Sequence, residues 1–223
     1  MAEKVPFEQK VLSENDRIAA EIRGALNQRK IFSFNMVSSP GSGKTSLLEK
    51  TISAIGSQVN IAVIAGDVQT ENDAQRLLRA GCKLVRPIVT GGACHLDANM
   101  VSRALKELEL ENTDLLVIEN VGNLVCPSSY DLGEDMKIVV MSTTEGDDKP
   151  LKYPAMFRRS SVMVVNKIDL LGTSDFDLEM VKANALKVNG TLTIIETSCR
   201  TGAGLDQWYA WLQEQIAHKK QKS

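Results

Sequence analysis

Ile31-Phe32-Ser33-Phe34-Asn35-Met36-Val37 runs straight into Ser38-Ser39-Pro40-Gly41-Ser42-Gly43-Lys44-Thr45. A mainly apolar run of strand length gives way to small residues, a lysine and a threonine, and then to a helical stretch over 44–55. A phosphate-binding loop needs this strand–loop–helix order. Small residues let consecutive backbone N–H groups turn inward around an anion. The start of the helix adds its dipole and its unpaired N–H groups. Gly41, Ser42 and Gly43 form the expected cradle, and Ser46 extends it into the helix. Lys44 is placed to neutralise β- and γ-phosphates, and the Thr45 hydroxyl to hold Mg2+. The usual loop opens on glycine. Here Ser38 takes that place, while Gly41 and Gly43 keep the turn.

Further short apolar runs follow at 59–65, 84–89, 115–118, 138–141, 162–165 and 192–195, several of them nearly continuous in Val and Ile. Such strands are buried on both faces, as in parallel sheets. Helical stretches at 44–55, 73–79, 97–108, 178–187 and 205–218 alternate with them, and Gly81 stands where a helix-ending glycine would. The alternation predicts an α/β fold with a doubly wound, mostly parallel sheet and flanking helices, of the P-loop NTPase type. Ligands of such sheets sit at the carboxyl ends of the strands. Ahead of the first strand, Phe7, Val11, Ile18, Ile22 and Leu26 recur on one helical face. Residues 1–30 are therefore read as an amphipathic helix packed on the domain, 31–218 as one nucleotide-binding domain, and 219–223 as a frayed polar tail.

Composition narrows the function classes. The chain has 223 residues, 43% apolar and 24% charged, with a formal net charge of −2. That length suits one domain. The near-neutral charge argues against nucleic acid as a partner. No run approaches the ~20 apolar residues of a membrane span, and residues 1–10 lack the apolar centre of a secretory signal. A cytoplasmic location without a membrane partner is the expectation. Cys82, Cys94, Cys126 and Cys199 are too few for a disulfide framework. In a reducing compartment they point to burial, catalysis or metal binding.

Asn166-Lys167-Ile168-Asp169 ends the run at 162–165. A carboxylate accepts from both N1–H and the exocyclic amine of guanine, whereas adenine offers no such donor pair. Asp169 is the expected base reader and Asn166 the brace of loop and base edge. The aliphatic stem of Lys167 would cover the base face. By itself the tetrapeptide fits a solvated turn equally well; its place downstream of a phosphate loop selects guanine. Thr197-Ser198-Cys199-Arg200 follows the last strand where GTPases carry Thr-Ser-Ala-Lys. A backbone N–H at Ser198 or Cys199 is expected on the base oxygen, with Cys199 in a small-residue slot and not a metal ligand.

Asp67 follows the second strand, and Glu119-Asn120-Val121-Gly122 the fourth. Either acid can serve Mg2+ directly or through water, and the Gly122 N–H can read a γ-phosphate. Lys44, Asp67, Glu119 and Gly122 are thus the expected catalytic set. Asn123 stands where GTPases place a water-orienting glutamine, which predicts slow hydrolysis completed by a partner or a second subunit.

Cys94 and His95 fall at a strand-to-helix turn near the same edge of the sheet, and Cys126 lies just beyond Gly122. Thiolate and imidazole suit Zn2+ and Ni2+. One chain offers three ligands here and a closed site wants four, so a twofold dimer could share them. Packing alone accounts for a Cys-His pair as readily as ligation does. A loop that carries both Gly122 and Cys126 would let nucleotide state open or close the metal site.

The segments Ser39-Pro40-Gly41-Ser42-Gly43-Lys44-Thr45, Ala65-Gly66-Asp67-Val68, Cys94-His95-Leu96-Asp97-Ala98, Glu119-Asn120-Val121-Gly122-Asn123-Leu124-Val125-Cys126-Pro127, Thr143-Thr144-Glu145-Gly146-Asp147-Asp148-Lys149-Pro150 and Asn166-Lys167-Ile168-Asp169 resemble the HypB family of hydrogenase maturation GTPases. They occur in that family's order and span about 31–212. The resemblance implies a SIMIBI-class GTPase that forms a homodimer with nucleotide and turns GTP into GDP during nickel insertion into the hydrogenase large subunit. It implies a small nickel-binding partner, HypA. It also implies that Cys94, His95 and Cys126 hold zinc or nickel at the dimer interface. The chain departs from some relatives in having no Cys-x-x-Cys-Gly-Cys motif and only two histidines, His95 and His218. The charge of Asp147, Asp148 and Lys149 fits a contact to the nucleotide or a second subunit, or a solvated loop.

Three rivals make different demands. A urease maturation GTPase would carry Cys-Pro-His, whereas this chain has Cys94-His95 and a separate Cys126-Pro127. A regulatory GTP switch would tolerate alanine at Cys94 and Cys126. A small-molecule kinase would have no use for the guanine motif at 166–169.

Overall fold

The computed structural model describes residues 7–173 and 175–221. Its seven strands are β1 (Phe32–Ser38), β2 (Ile61–Asp67), β3 (Leu84–Val89), β4 (Leu115–Glu119), β5 (Met136–Ser142), β6 (Ser160–Asn166) and β7 (Thr193–Glu196). They form one sheet in the order β3-β2-β4-β1-β5-β6-β7, with every neighbouring pair parallel. Each apolar run read from the sequence is one of these strands. The helices are α1 (Phe7–Gln28), α2 (Lys44–Ile55), α3 (Asn72–Arg79), α4 (Ala98–Leu105), α5 (Lys149–Lys152), α6 (Pro154–Arg159), α7 (Leu178–Val188) and α8 (Leu205–Gln221). The sequence reading missed α5 and α6. At four and six residues they are too short to show a 3.6-residue period, and each opens with a proline in its first turn.

Strand periodicity sorts the core onto two faces. Phe32, Phe34 and Met36 of β1 point to one side, where α2, α3 and α8 pack. There Trp208 is fully buried, edge-on to Phe34 at 6.1 Å, and its indole N–H donates to Thr51 Oγ1 at 2.9 Å. Burying one large apolar side chain of this kind contributes roughly 1.5–3 kcal/mol. On the other side α1 and α4 cover β2 and β4, while α6 and α7 cover β5 and β6. Helix α1 meets the sheet through Ala19, Ile22 and Leu26, whereas Val11, expected on that apolar face, is exposed. Asn15 of α1 is buried, donates to the Asp131 carbonyl at 2.8 Å and accepts from the Ala98 N–H at 2.8 Å.

Gly81 has φ +101°, and its N–H donates to the Leu78 carbonyl while that of Cys82 reaches Leu77. This left-handed residue closes α3 as anticipated. The chain end differs from expectation. Helix α8 continues past residue 218 to Gln221, and there Lys219 ion-pairs with Asp135 and Lys220 with Asp114. Residues 222 and 223 of the expected tail lie outside the described residues. Among the described residues no helix is long and apolar enough to cross a membrane.

Candidate nucleotide and metal site

The carboxyl ends of β1, β2, β4 and β6 converge on the phosphate loop. Gly41 and Gly43 adopt left-handed backbone at φ +76° and +99°. A Cβ on Gly43 would lie 2.3 Å from Asn166 Nδ2, so only glycine allows this approach. Asn166 uses it: its Nδ2 donates to the Ser42 carbonyl at 3.0 Å, and its Oδ1 accepts from the Cys199 N–H at 3.3 Å. The guanine motif therefore braces the phosphate loop. Lys167 also has left-handed backbone, at φ +65°, and its Nζ donates to the Gly41 carbonyl at 2.7 Å. Asp169 Oδ1 accepts from Ser198 Oγ at 2.6 Å, which holds the carboxyl below its ordinary range. The Ser198 N–H is taken by the Ala203 carbonyl at 2.9 Å. Cys199 is half-buried, and burial pushes its thiol up to about 11, in keeping with a packing role.

Lys44 is desolvated, which lowers its pKa, and its Nζ donates to Ser38 Oγ at 2.8 Å. The hydroxyl that replaces the usual glycine thus occupies the lysine. Thr45 Oγ1 donates to Glu119 Oε1 at 2.7 Å. Glu119 is 2% exposed, its Oε2 has no hydrogen-bond partner, and burial pushes its carboxyl up to about 7. An orphaned carboxylate oxygen beside the Thr45 hydroxyl and the Lys44 ammonium suits Mg2+ and phosphate. Ser42 Oγ is likewise buried without a partner. Asp67 Oδ1 accepts from the N–H groups of Gln69 and Thr70 at 2.9 and 3.1 Å, and the residue lines the same cavity. Gly122 lies against Pro40: a Cβ there would come within 3.1 Å of that residue. The cavity measures about 520 Å³, in the range of small-ligand sites. A larger one of about 970 Å³ opens at the amino ends of the strands between α1 and α4 and holds none of the motif residues.

The second centre adjoins the first. The ligand atoms of Cys94, His95 and Cys126 lie within 4.8 Å of one another. Cys94 Sγ is 3.0 Å from Cys126 Sγ and 3.7 Å from His95 Nδ1, and both cysteines are free thiols. Sharing a hydrogen bond with Cys126 raises the pKa of Cys94. Burial lowers that of His95, which favours the neutral imidazole that metals bind. The His95 ring lies against Tyr130, tilted by 35°, with centroids 4.1 Å apart.

Comparison with known proteins agrees with this geometry. The CobW/HypB/UreG nucleotide-binding domain matches residues 33–196. The hydrogenase maturation factor HypB of Azotobacter chroococcum mcd 1 is 50% identical over 211 residues, which is 95% of this chain and 69% of that protein. The chain belongs to the HypB family. Two HypB crystal structures share its fold. That from Helicobacter pylori in complex with nickel superposes with a TM-score of 0.87 at 39% identity, covering 94% of this chain and 98% of the other. That from Archaeoglobus fulgidus gives 0.85 at 41%, covering 92% and 99%.

The sequence reading of this HypB chain missed several residues at the site. Arg76 lines the nucleotide cavity, held by Glu49 at 2.7 Å and by Ser46 Oγ at 3.1 Å. Tyr130 covers His95 from a segment without secondary structure. No local motif marks either one. Lys149, left between a solvated loop and a contact, bonds Glu145 at 2.6 Å and reaches Ser39 Oγ of the phosphate loop. Asp148 instead pairs with Lys152 at 2.7 Å, at the surface.

Proposed function

We propose that this protein is a GTP-hydrolysing metallochaperone that serves nickel insertion into [NiFe]-hydrogenase and whose nucleotide state gates the Cys/His site. One observation carries the reading. A single loop from Glu119 to Cys126 begins at the Thr45 hydroxyl and ends on the thiol that meets Cys94. Thr45, Glu119 and Asp67 would hold Mg2+, which when bound offsets the phosphate charge. Lys44 and the loop N–H groups bind the phosphates, and Asp169 selects guanine. Cys94, His95 and Cys126 hold the cargo ion, nickel or zinc.

Slow intrinsic turnover follows from Asn123. Both ends of its side chain are engaged, Nδ2 by the Cys94 carbonyl at 3.2 Å and Oδ1 by the Val125 N–H at 2.9 Å. It is not free to orient water as a glutamine would. Three ligands leave the metal site open, which fits a carrier and a ligand set completed by a second copy of the chain. A HypA-like nickel donor and the hydrogenase large subunit are the proposed partners. Calorimetric titration of nickel and zinc with GDP and with a non-hydrolysable GTP analogue tests the proposal. Affinity should depend on nucleotide and be lost in Cys94→Ala/Cys126→Ala. Binding that ignores both nucleotide and mutation would leave a regulatory GTP switch.

A further inference from the structure

We infer that Asn120 and Asn123 are the positioning residues through which the nucleotide loop sets Cys94 and His95, an inference that rests on the nucleotide-gated reading above. Asn120 directly follows Glu119 and is 1% exposed. Its backbone N–H is anchored to the Met36 carbonyl of β1 at 3.0 Å. Its Oδ1 accepts from the Leu96 N–H at 3.1 Å and the Val121 N–H at 2.9 Å, and its Nδ2 donates to Asn35 Oδ1 at 3.2 Å. Asn123 Nδ2 donates to the Cys94 carbonyl at 3.2 Å. Two side-chain amides of one loop therefore grip the peptide groups on either side of His95.

Gly122, the residue expected to meet a γ-phosphate, lies between these two amides in the chain and packs on Pro40. A shift at Gly122 therefore acts on both grips together. The metal loop is tied to the same strand end by packing as well. The Leu96 side chain is fully buried, and it and the Glu119 carbonyl would each come within 3.0 Å of a Cβ on Gly66. Nucleotide contacts at Thr45 and Gly122 and metal contacts at Cys94 and His95 thus bias one segment, as a coupling between two sites requires.

The test is the ratio of Zn2+ affinities of the full chain with GDP and with a GTP analogue, both with Mg2+, read by competition with a chromophoric chelator. Asn123→Asp keeps the acceptor for the Val125 N–H and replaces the donor to the Cys94 carbonyl with a charged carboxylate oxygen, which breaks that grip. Asn120→Ala removes the grip on the Leu96 N–H, and Asn120→Asp restores that acceptor while giving up the donor to Asn35 Oδ1. Wild type should show a ratio of about 5- to 150-fold, and Asn123→Asp and Asn120→Ala should each bring it to within about twofold of unity. In those variants the absorption bands of bound Co2+ should also stop responding to nucleotide, whereas Asn120→Asp, which keeps the acceptor for the Leu96 N–H, should recover part of the ratio lost in Asn120→Ala. If Asn120→Ala does not fold, Asn123→Asp decides the matter alone. An unchanged ratio in folded Asn123→Asp overturns the inference. A wild-type ratio of one removes the gated reading itself.

Discussion

Gly43 shows why the motif residues were legible one at a time. Its place in Gly-Ser-Gly-Lys-Thr already demands a residue without a side chain, and the structure supplies the reason in Asn166 Nδ2, 2.3 Å from a would-be Cβ. Gly43→Ala is expected to displace Asn166, free the Ser42 carbonyl and weaken GDP binding about tenfold or more, ~1.4 kcal/mol, by calorimetry. Glu119 carries a pH signature. Its carboxyl titrates near 7 in the fold against an ordinary 4.5, so the folded chain holds a proton that the unfolded chain releases between those values. Its contribution to nucleotide-free stability is full below 4.5 and is lost as pH rises through about 7. A shift of this size corresponds to roughly 3 kcal/mol. The melting temperature of Glu119→Gln minus that of wild type should therefore widen from about pH 5 to pH 8. Parallel profiles would assign the slope to other groups.

At the scale of elements, stability rests on how helices meet the sheet. Helix α8 is held by Trp208, buried against Phe34 and bonded to Thr51 of α2. Trp208→Ala should cost about 3–5 kcal/mol in urea denaturation, the range for emptying a large core position. Helix α1 is tied by a polar contact as well as an apolar one. Asn15→Ala would leave the Ala98 N–H and the Asp131 carbonyl unpaired, and about 1–3 kcal/mol is the expected loss. An effect near zero would mean that water satisfies both groups. The apolar period of α1 could be read because the helix buries one stripe, Ala19, Ile22 and Leu26. Asn15 could not, since a polar residue on an apolar face reads as solvent-exposed until its partners are known.

For the molecule as a whole, the cluster of three candidate metal ligands at an exposed edge sets the expectation for assembly. Cys94 is exposed and Val125 beside Cys126 is 60% exposed, so the site is open to a second copy. Gel filtration should show a monomer with GDP and a dimer with a GTP analogue and Mg2+. A monomer in both at high protein concentration would require the carrier to work with three ligands of its own.

The sequence by itself determined the seven strands and their class of sheet, and it pointed to the phosphate loop, the guanine motif and three candidate metal ligands. These depend on residue order over a few positions: period, loop length and side-chain chemistry. Tertiary structure alone decided that β4 lies between β2 and β1, and this places Glu119 against Thr45. It also decided that Cys126 meets Cys94 across 31 intervening residues, that Tyr130 roofs His95, and that Arg76 faces the nucleotide cavity. Those contacts join residues far apart in the chain. Strand order and the packing of long loops set them, and no local pattern encodes either.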